Sequence, residues 1–253
     1  MDVDLSPDGK EIVFTVLGEI FQMPAGGGTP VQITRGLAIN SHPVWSPDGK
    51  EIAYLSDISG GMRVNVMHRD GTGQRILDAS GSQIQRYYDI KPAPIPVWLT
   101  DETGLVIKDH LISLTSGINV LPKDVRNIFD ISRDGRMYYQ EDHVTTNFIK
   151  CYDRLTGETR KFSDLPAHAY HPRISPDGKW LIYIKYIKNP SVKNSLVARN
   201  LSTGNEKILV DQLEPDSRTI KEHYAFSSDS KYLLIGYNGK IHKLILDHLY
   251  YFN

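Results

Sequence analysis

Cysteine is almost absent from this chain. Cys151 stands alone among 253 residues, so no disulfide can form within it. Long apolar runs are missing as well: none approaches the ~20 residues of a membrane-spanning helix, so no membrane insertion is expected. Nor is there a surplus of one charge. With 29 Lys and Arg against 30 Asp and Glu, the formal net charge of −1 offers no electrostatic footing for nucleic acid or an anionic membrane. Helical periodicity of ordinary length is also lacking, which leaves strands and turns.

Catalytic signatures are equally scarce. There is no Gly-x-Ser-x-Gly elbow. Cys151 lies in the strand-like run Phe148-Ile149-Lys150-Cys151-Tyr152-Asp153 with no obvious partner, and reads as a packed thiol. Gly26-Gly27-Gly28 is followed by neither Lys-Ser/Thr nor a helix, so it reads as a turn, not a phosphate loop. His168 and His171 have His-x-x-His spacing, but on a loop and without the adjoining Glu of a metalloprotease. No cofactor and no catalytic residue is expected.

What the chain does contain, repeatedly, is one turn. Ser46-Pro47-Asp48-Gly49-Lys50 lies between His42-Pro43-Val44-Trp45 and Glu51-Ile52-Ala53-Tyr54-Leu55. Pro presets φ, Asp bonds the backbone ahead of it and Gly supplies a positive φ, so the unit predicts a hairpin. Ser6-Pro7-Asp8-Gly9-Lys10 and Ser175-Pro176-Asp177-Gly178-Lys179 are identical copies. Ser132-Arg133-Asp134-Gly135-Arg136 and Ser227-Ser228-Asp229-Ser230-Lys231 are worn ones, and Pro96-Val97-Trp98 echoes Pro43-Val44-Trp45 in the double gap between Ser46 and Ser132.

Six copies of roughly 42 residues have the period of a propeller blade. The expected fold is all-β: one six-bladed β-propeller of four-stranded antiparallel blades. The blades fall at about 1–36, 37–80, 81–122, 123–165, 166–213 and 214–253. Blade three is degenerate, with the proline-rich 91–96 as a loop into Val97-Trp98. Lys185 to Lys193 reads as a solvated basic insertion, and the apolar tail Leu249-Tyr250-Tyr251-Phe252 as an outer strand of blade six or the start of something further. The turn aspartates (Asp8, Asp48, Asp134, Asp177, Asp229) read as structural.

Each connection between blades passes the central channel, which places the residue four before the repeat Ser near its mouth. That residue is His42, His171 and His223 in blades two, five and six, and Asp2, Ile95 and Ile128 elsewhere. The loop 166–172, with His168, Tyr170 and His171, is the foremost candidate for touching a ligand, joined by Glu222 and His223; Tyr87, Tyr88 and Asn40 belong to equivalent connections. No metal is expected, since blades two and five face each other across the ring. The alternative is an ion on His42, His171 and His223 in a narrow channel.

Ser-Pro-Asp-Gly-Lys followed by an apolar strand resembles the repeat of TolB-like propellers, a WD40-like group, over nearly the whole chain. The resemblance implies a periplasmic or otherwise exported protein that binds partner proteins, including a peptide at the channel mouth. The abrupt start at Met1-Asp2-Val3-Asp4-Leu5, without a signal peptide, fits a chain beginning after processing or at a cut boundary; the other option is a cytoplasmic protein. The opening from Asp4 to Phe14, then Leu17 to Phe21 and Gly26-Gly27-Gly28, resembles propellers fused ahead of an amidohydrolase barrel. No barrel is present here, so no ligands transfer. Related propellers gate prolyl oligopeptidases, and another branch is a pectate-fragment lyase with a His-rich metal site.

The expected function is therefore a non-catalytic module that binds or scaffolds a protein or peptide partner or a fused catalytic domain. The alternative is a metal-dependent lyase or hydrolase using the channel-mouth histidines.

Overall fold

A computed structural model shows an all-β chain. The structure describes residues 1–77, 95–107, 110–115, 117–125, 128–132, 134–142, 147–165, 169–188, 192–213, 224–237 and 239–246. No helix occurs among them, so none is long and apolar enough to cross a membrane.

Six antiparallel sheets follow one another in chain order. Blade one holds β1 (Val3–Leu5), β2 (Glu11–Val16), β3 (Glu19–Pro24) and β4 (Val31–Gln32). Blade two holds β5 (Asn40–Trp45), β6 (Glu51–Ser56), β7 (Arg63–His68) and β8 (Arg75–Ile76). Blade three is a complete sheet despite its worn sequence: β9 (Val97–Trp98), β10 (Gly104–Ile107), β11 (His110–Ser113) and β12 (Gly117–Val120). Blade four comprises β13 (Ile128–Ile131), β14 (Met137–Asp142), β15 (Asn147–Tyr152) and β16 (Thr159–Leu165). Blade five comprises β17 (Ala169–Ile174), β18 (Trp180–Lys188), β19 (Val192–Asn200) and β20 (Glu206–Leu213). Blade six shows β21 (Tyr224–Phe226), β22 (Tyr232–Tyr237) and β23 (Lys240–Ile245); the apolar tail 249–252 lies outside the described residues.

The repeated turn works as its chemistry requires. The Ser6 hydroxyl donates to Asp8 at 2.7 Å and accepts the Glu11 N–H at 2.9 Å, while Asp8 accepts the Lys10 N–H at 3.1 Å. The Gly9 N–H closes on the Ser6 carbonyl at 2.8 Å, with Gly9 at φ 71°. The same bonds recur around Ser46 and Ser175. The Ser6 hydroxyl and the Lys10 N–H hold the Asp8 carboxyl below its ordinary range.

The core consists of six clusters, each shared by two neighbouring blades. Val13, Ile20, Trp45 and Ile52 join blades one and two, and Trp180, Leu196, Leu213, Tyr224 and Leu233 join five and six. Because each blade is sandwiched between two others, the middle strands are apolar on both faces: Ile52, Ala53, Tyr54 and Leu55 are all buried. The ring closes by packing, with Val3, Leu5, Ile12 and Phe14 of blade one against Ala225 and Leu234 of blade six. Blade one takes all four of its strands from the first 32 residues. At the closure Gly236 meets the Met1 carbonyl oxygen, which would lie 2.6 Å from any Cβ placed there.

The segment expected as a basic loop is built differently. β18 and β19 stay paired as far as Lys188 opposite Val192, so Lys185, Lys188 and Lys193 lie on a prolonged hairpin. Tyr186, Ile187 and Val192 are strand-favouring residues set among the lysines, a signal that charge counting overlooked. Since Ala169 pairs with Lys185, this hairpin rises past the start of the inner strand, on the channel-entry face.

Candidate functional site: a charged central channel

The innermost strands β1, β5, β9, β13, β17 and β21 surround the channel. Position four before the repeat Ser behaves alike in blades two and five. His42 has φ 56° and His171 φ 57°, each in a register shift that opens its inner strand: between Ser41 and Val44, and between Tyr170 and Arg173. Positive φ in a non-glycine residue is uncommon, and a proline follows both histidines. Pro43 and Pro172 carry no N–H, which an inner edge strand tolerates.

The surroundings of the two histidines differ. His42 is buried, 3% exposed; its backbone N–H donates to Asp2 Oδ2 at 2.8 Å, and its Nδ1 lies 3.9 Å from the same oxygen. His171 is half-buried, and its carbonyl accepts the Tyr224 hydroxyl of blade six, an oxygen that also lies 3.1 Å from the Ile182 carbonyl. Tyr170 occupies β17 opposite Ile184. His168, Glu222, His223, Tyr87 and Tyr88 lie outside the described residues. Asn40 is buried and reaches toward Glu19 and Thr34 at the seam of blades one and two. Among the described residues no group of three His, Cys, Asp or Glu is arranged to hold a metal ion.

The arrangement that sequence reasoning missed lies two residues further along each inner strand. Two before the repeat Ser stand Asp4, Asp130 and Arg173, in blades one, four and five. Asp4 accepts the Trp45 N–H at 2.8 Å, tying blade one to blade two. Asp130 accepts the Ile174 N–H at 2.9 Å, tying four to five by the same contact. Arg173 donates back to the Phe129 carbonyl at 2.7 Å.

Their charges are coupled across the ring. Burial pushes the Asp4 carboxyl up to about 6, against the Trp45 N–H and the positive charge of Arg173. Blade six lies between blades one and five, so Asp4 and Arg173 share no strand pairing. Asp130 is likewise raised by burial, with Arg173 and the Ile174 N–H opposing. The positive charge of Arg173 thus bears on two carboxylates, each held by a backbone N–H of the next blade. The signal was present in the repeat: three of the six residues at this one position are ionisable, in strands otherwise given to packing.

Chemically, the channel offers fixed charges of both signs. Cys151 is no part of it: the thiol is 1% exposed between blades four and five, and burial raises its pKa.

No protein-family model matches the chain. Uncharacterized protein Atu1656 of Agrobacterium fabrum (strain C58 / ATCC 33970) is 34% identical over 189 residues, which cover 72% of this chain and 53% of that protein. Dipeptidyl-peptidase 5 of Porphyromonas endodontalis is 25% identical, over 71% of this chain and 36% of its own. The chain thus spans about half and about a third of the length of these curated relatives. A solved structure assigned to TolB from Agrobacterium tumefaciens superposes with a TM-score of 0.70 at 19% identity, covering 90% of this chain and 86% of that one. That likeness is one of fold.

Proposed function

We propose that this chain, a six-bladed propeller of the TolB-like fold, is a non-catalytic module that binds a protein or peptide partner at its channel. The observation that supports this reading is that Asp4, Asp130 and Arg173 stand at one repeat position of inner strands, each tethered to backbone of a neighbouring blade, with the charge of Arg173 bearing on both carboxylates. Charges held in place before a ligand arrives cost little further ordering on binding. A free chain terminus or a charged side chain entering from the blade connections meets the histidine level first and the charged level next. The TolB-like fold also favours a periplasmic or otherwise exported protein.

A second reading is favoured by dipeptidyl-peptidase 5, of which this chain spans about a third. In that reading the propeller is an accessory unit to a peptidase domain and governs what reaches it. An amidohydrolase-type fused domain, which the opening residues resemble, would use the same face in the same way.

Calorimetric titration of short peptides that differ only in free or blocked ends separates these possibilities from a channel that binds nothing. Saturable binding that depends on a free end, and that changes in Arg173→Gln and Asp4→Asn, is the expected result. Binding indifferent to both substitutions, or no binding by any peptide, would remove the channel as the binding element.

A further inference from the structure

The inner strands carry a charge imbalance that the chain as a whole does not. Overall, 29 Lys and Arg stand against 30 Asp and Glu. On β1, β5, β9, β13, β17 and β21 the charged residues are Asp4, Asp130 and Arg173, and Asp2, one residue before β1, adds a third carboxylate. His42 and His171 are the imidazoles of these strands. Even a proton on His42, whose Nδ1 lies 3.9 Å from Asp2, would leave carboxylates in excess.

Hydrogen bonds do not cancel these charges. Asp4 accepts the N–H groups of Trp45 and Leu5, and Asp130 those of Ile174 and Ile131, the latter two at 2.9 Å each. Every one of these donors is neutral, so an ionised carboxylate keeps its full charge. Arg173 likewise spends an N–H on a neutral acceptor, the Phe129 carbonyl. Among the described residues no ion pair joins it, or any other cation, to Asp4 or Asp130. One guanidinium opposes both carboxylates but can balance only one.

These groups are open to a ligand. Asp4, Asp130 and Arg173 are each only partly buried, on the strands that surround the channel. Two N–H bonds leave a carboxylate with lone pairs to offer, and an ammonium brings three donors. An excess of one sign between low-dielectric walls also attracts counter-charge more strongly than it would on an open surface. A carboxylate entering the channel would meet one cation and an excess of its own sign.

We propose that the channel takes a primary ammonium from the partner, either a free amino end or a lysine side chain, and discriminates against a free carboxylate. This rests on the reading that the channel binds peptide, and adds to it the sign of the group that enters.

The test is calorimetric titration of the whole chain at pH 8 with four short peptides of one uncharged sequence. The first has a free amino end and an amidated C-terminus, and the second an acetylated N-terminus and a free carboxylate. The third is blocked at both ends, and the fourth is blocked but carries one internal lysine. At least one of the two cationic peptides should saturate, about tenfold or more tighter than the carboxylate peptide. Whether the first or the fourth does so distinguishes an amino end from a side chain. Arg173→Gln should tighten the cationic peptide, because a like charge is removed. Asp4→Asn and Asp130→Asn should weaken it while keeping an oxygen for the backbone N–H, with melting curves to check the fold. A preference for the carboxylate peptide, equal binding of the doubly blocked one, or cationic binding that weakens in Arg173→Gln overturns the proposal and leaves channel binding in place. No binding by any of the four overturns both.

Discussion

The carboxylate of Asp4 in blade one accepts the backbone N–H of Trp45 in blade two at 2.8 Å, and Asp130 repeats that contact to Ile174 between blades four and five. A side chain in one blade thereby completes the edge of the next, at a level of the ring where burial desolvates each carboxyl. Two such carboxylates share the influence of one arginine, Arg173. Structure and electrostatics are therefore joined at this level of the ring.

Asp4→Asn isolates the charge from the hydrogen bond, because the amide oxygen can still accept from Trp45. The Asp4 carboxyl sits at about 6 in the folded chain against an ordinary value of 3.8, so the folded state holds its proton more tightly than the unfolded one. Stability from this group is then full below about pH 4 and falls as pH rises through 6. The Asn variant should melt higher than wild type at pH 8, by about 1–3 kcal/mol of stability, with the gap closing toward pH 4. Melting curves at several pH values check this, and a gap that does not vary with pH would show that Asp4 is not desolvated.

The worn turns support a paired prediction. Glu102 has φ 60° at the glycine place of blade three and is exposed, while Ser230 has φ 59° at that place in blade six. Glu102→Gly should stabilise the chain by about 0.5–1 kcal/mol, because strain is relieved and only a solvent-screened attraction to Lys50 is lost. Ser230 is buried, and its hydroxyl accepts the Asp177 N–H of blade five at 3.1 Å, so Ser230→Gly loses an inter-blade bond as it relieves strain. Chemical denaturation should show the first substitution gaining and the second gaining nothing or losing.

These two turns also mark how far the sequence can be read. Ser-Pro-Asp-Gly-Lys states its bonds outright, and repetition turned one hairpin into six blades. Blade three survives without that signature because Trp98, whose Nε1 donates to the Val44 carbonyl at 3.2 Å, anchors it to blade two. The site was less legible. The imidazoles at the fourth place before the repeat Ser drew notice by residue type, whereas Asp4, Asp130 and Arg173 matter through being opposite one another. Opposition across a ring comes from closure, which no local spacing encodes. Leu17, the exposed leucine at the tip of blade one, was likewise in plain view, but neither its φ nor its exposure is written in its neighbours.

Cys151 should behave as a packing residue. Burial raises its thiol pKa, with Arg160 opposing, and its side chain is closed off between blades four and five. A thiol-reactive dye should label it slowly in the folded chain and quickly in denaturant. Rapid labelling of the native protein at neutral pH would contradict the packing described for this seam.

Arg173 provides the severest test of the channel. Its guanidinium is the cation that opposes the raised pKa of both Asp4 and Asp130, and it also donates to the Phe129 carbonyl. Arg173→Leu removes the cation that opposes the raised pKa of both carboxyls, so both should rise further and favour protonation. The loss of stability should then be largest at high pH, about 3 kcal/mol near pH 8, and should shrink toward pH 5 as the carboxylates take up protons. Arg173→Lys keeps the charge but not the planar fork, so it should show a smaller offset with little dependence on pH. Equal losses at pH 5 and pH 8 in the Leu variant would mean that Arg173 acts only as a strut to blade four. A loss that grows with pH in Leu but not in Lys would establish that the channel is held electrically poised, the condition under which a charged peptide end could exchange places with an internal partner.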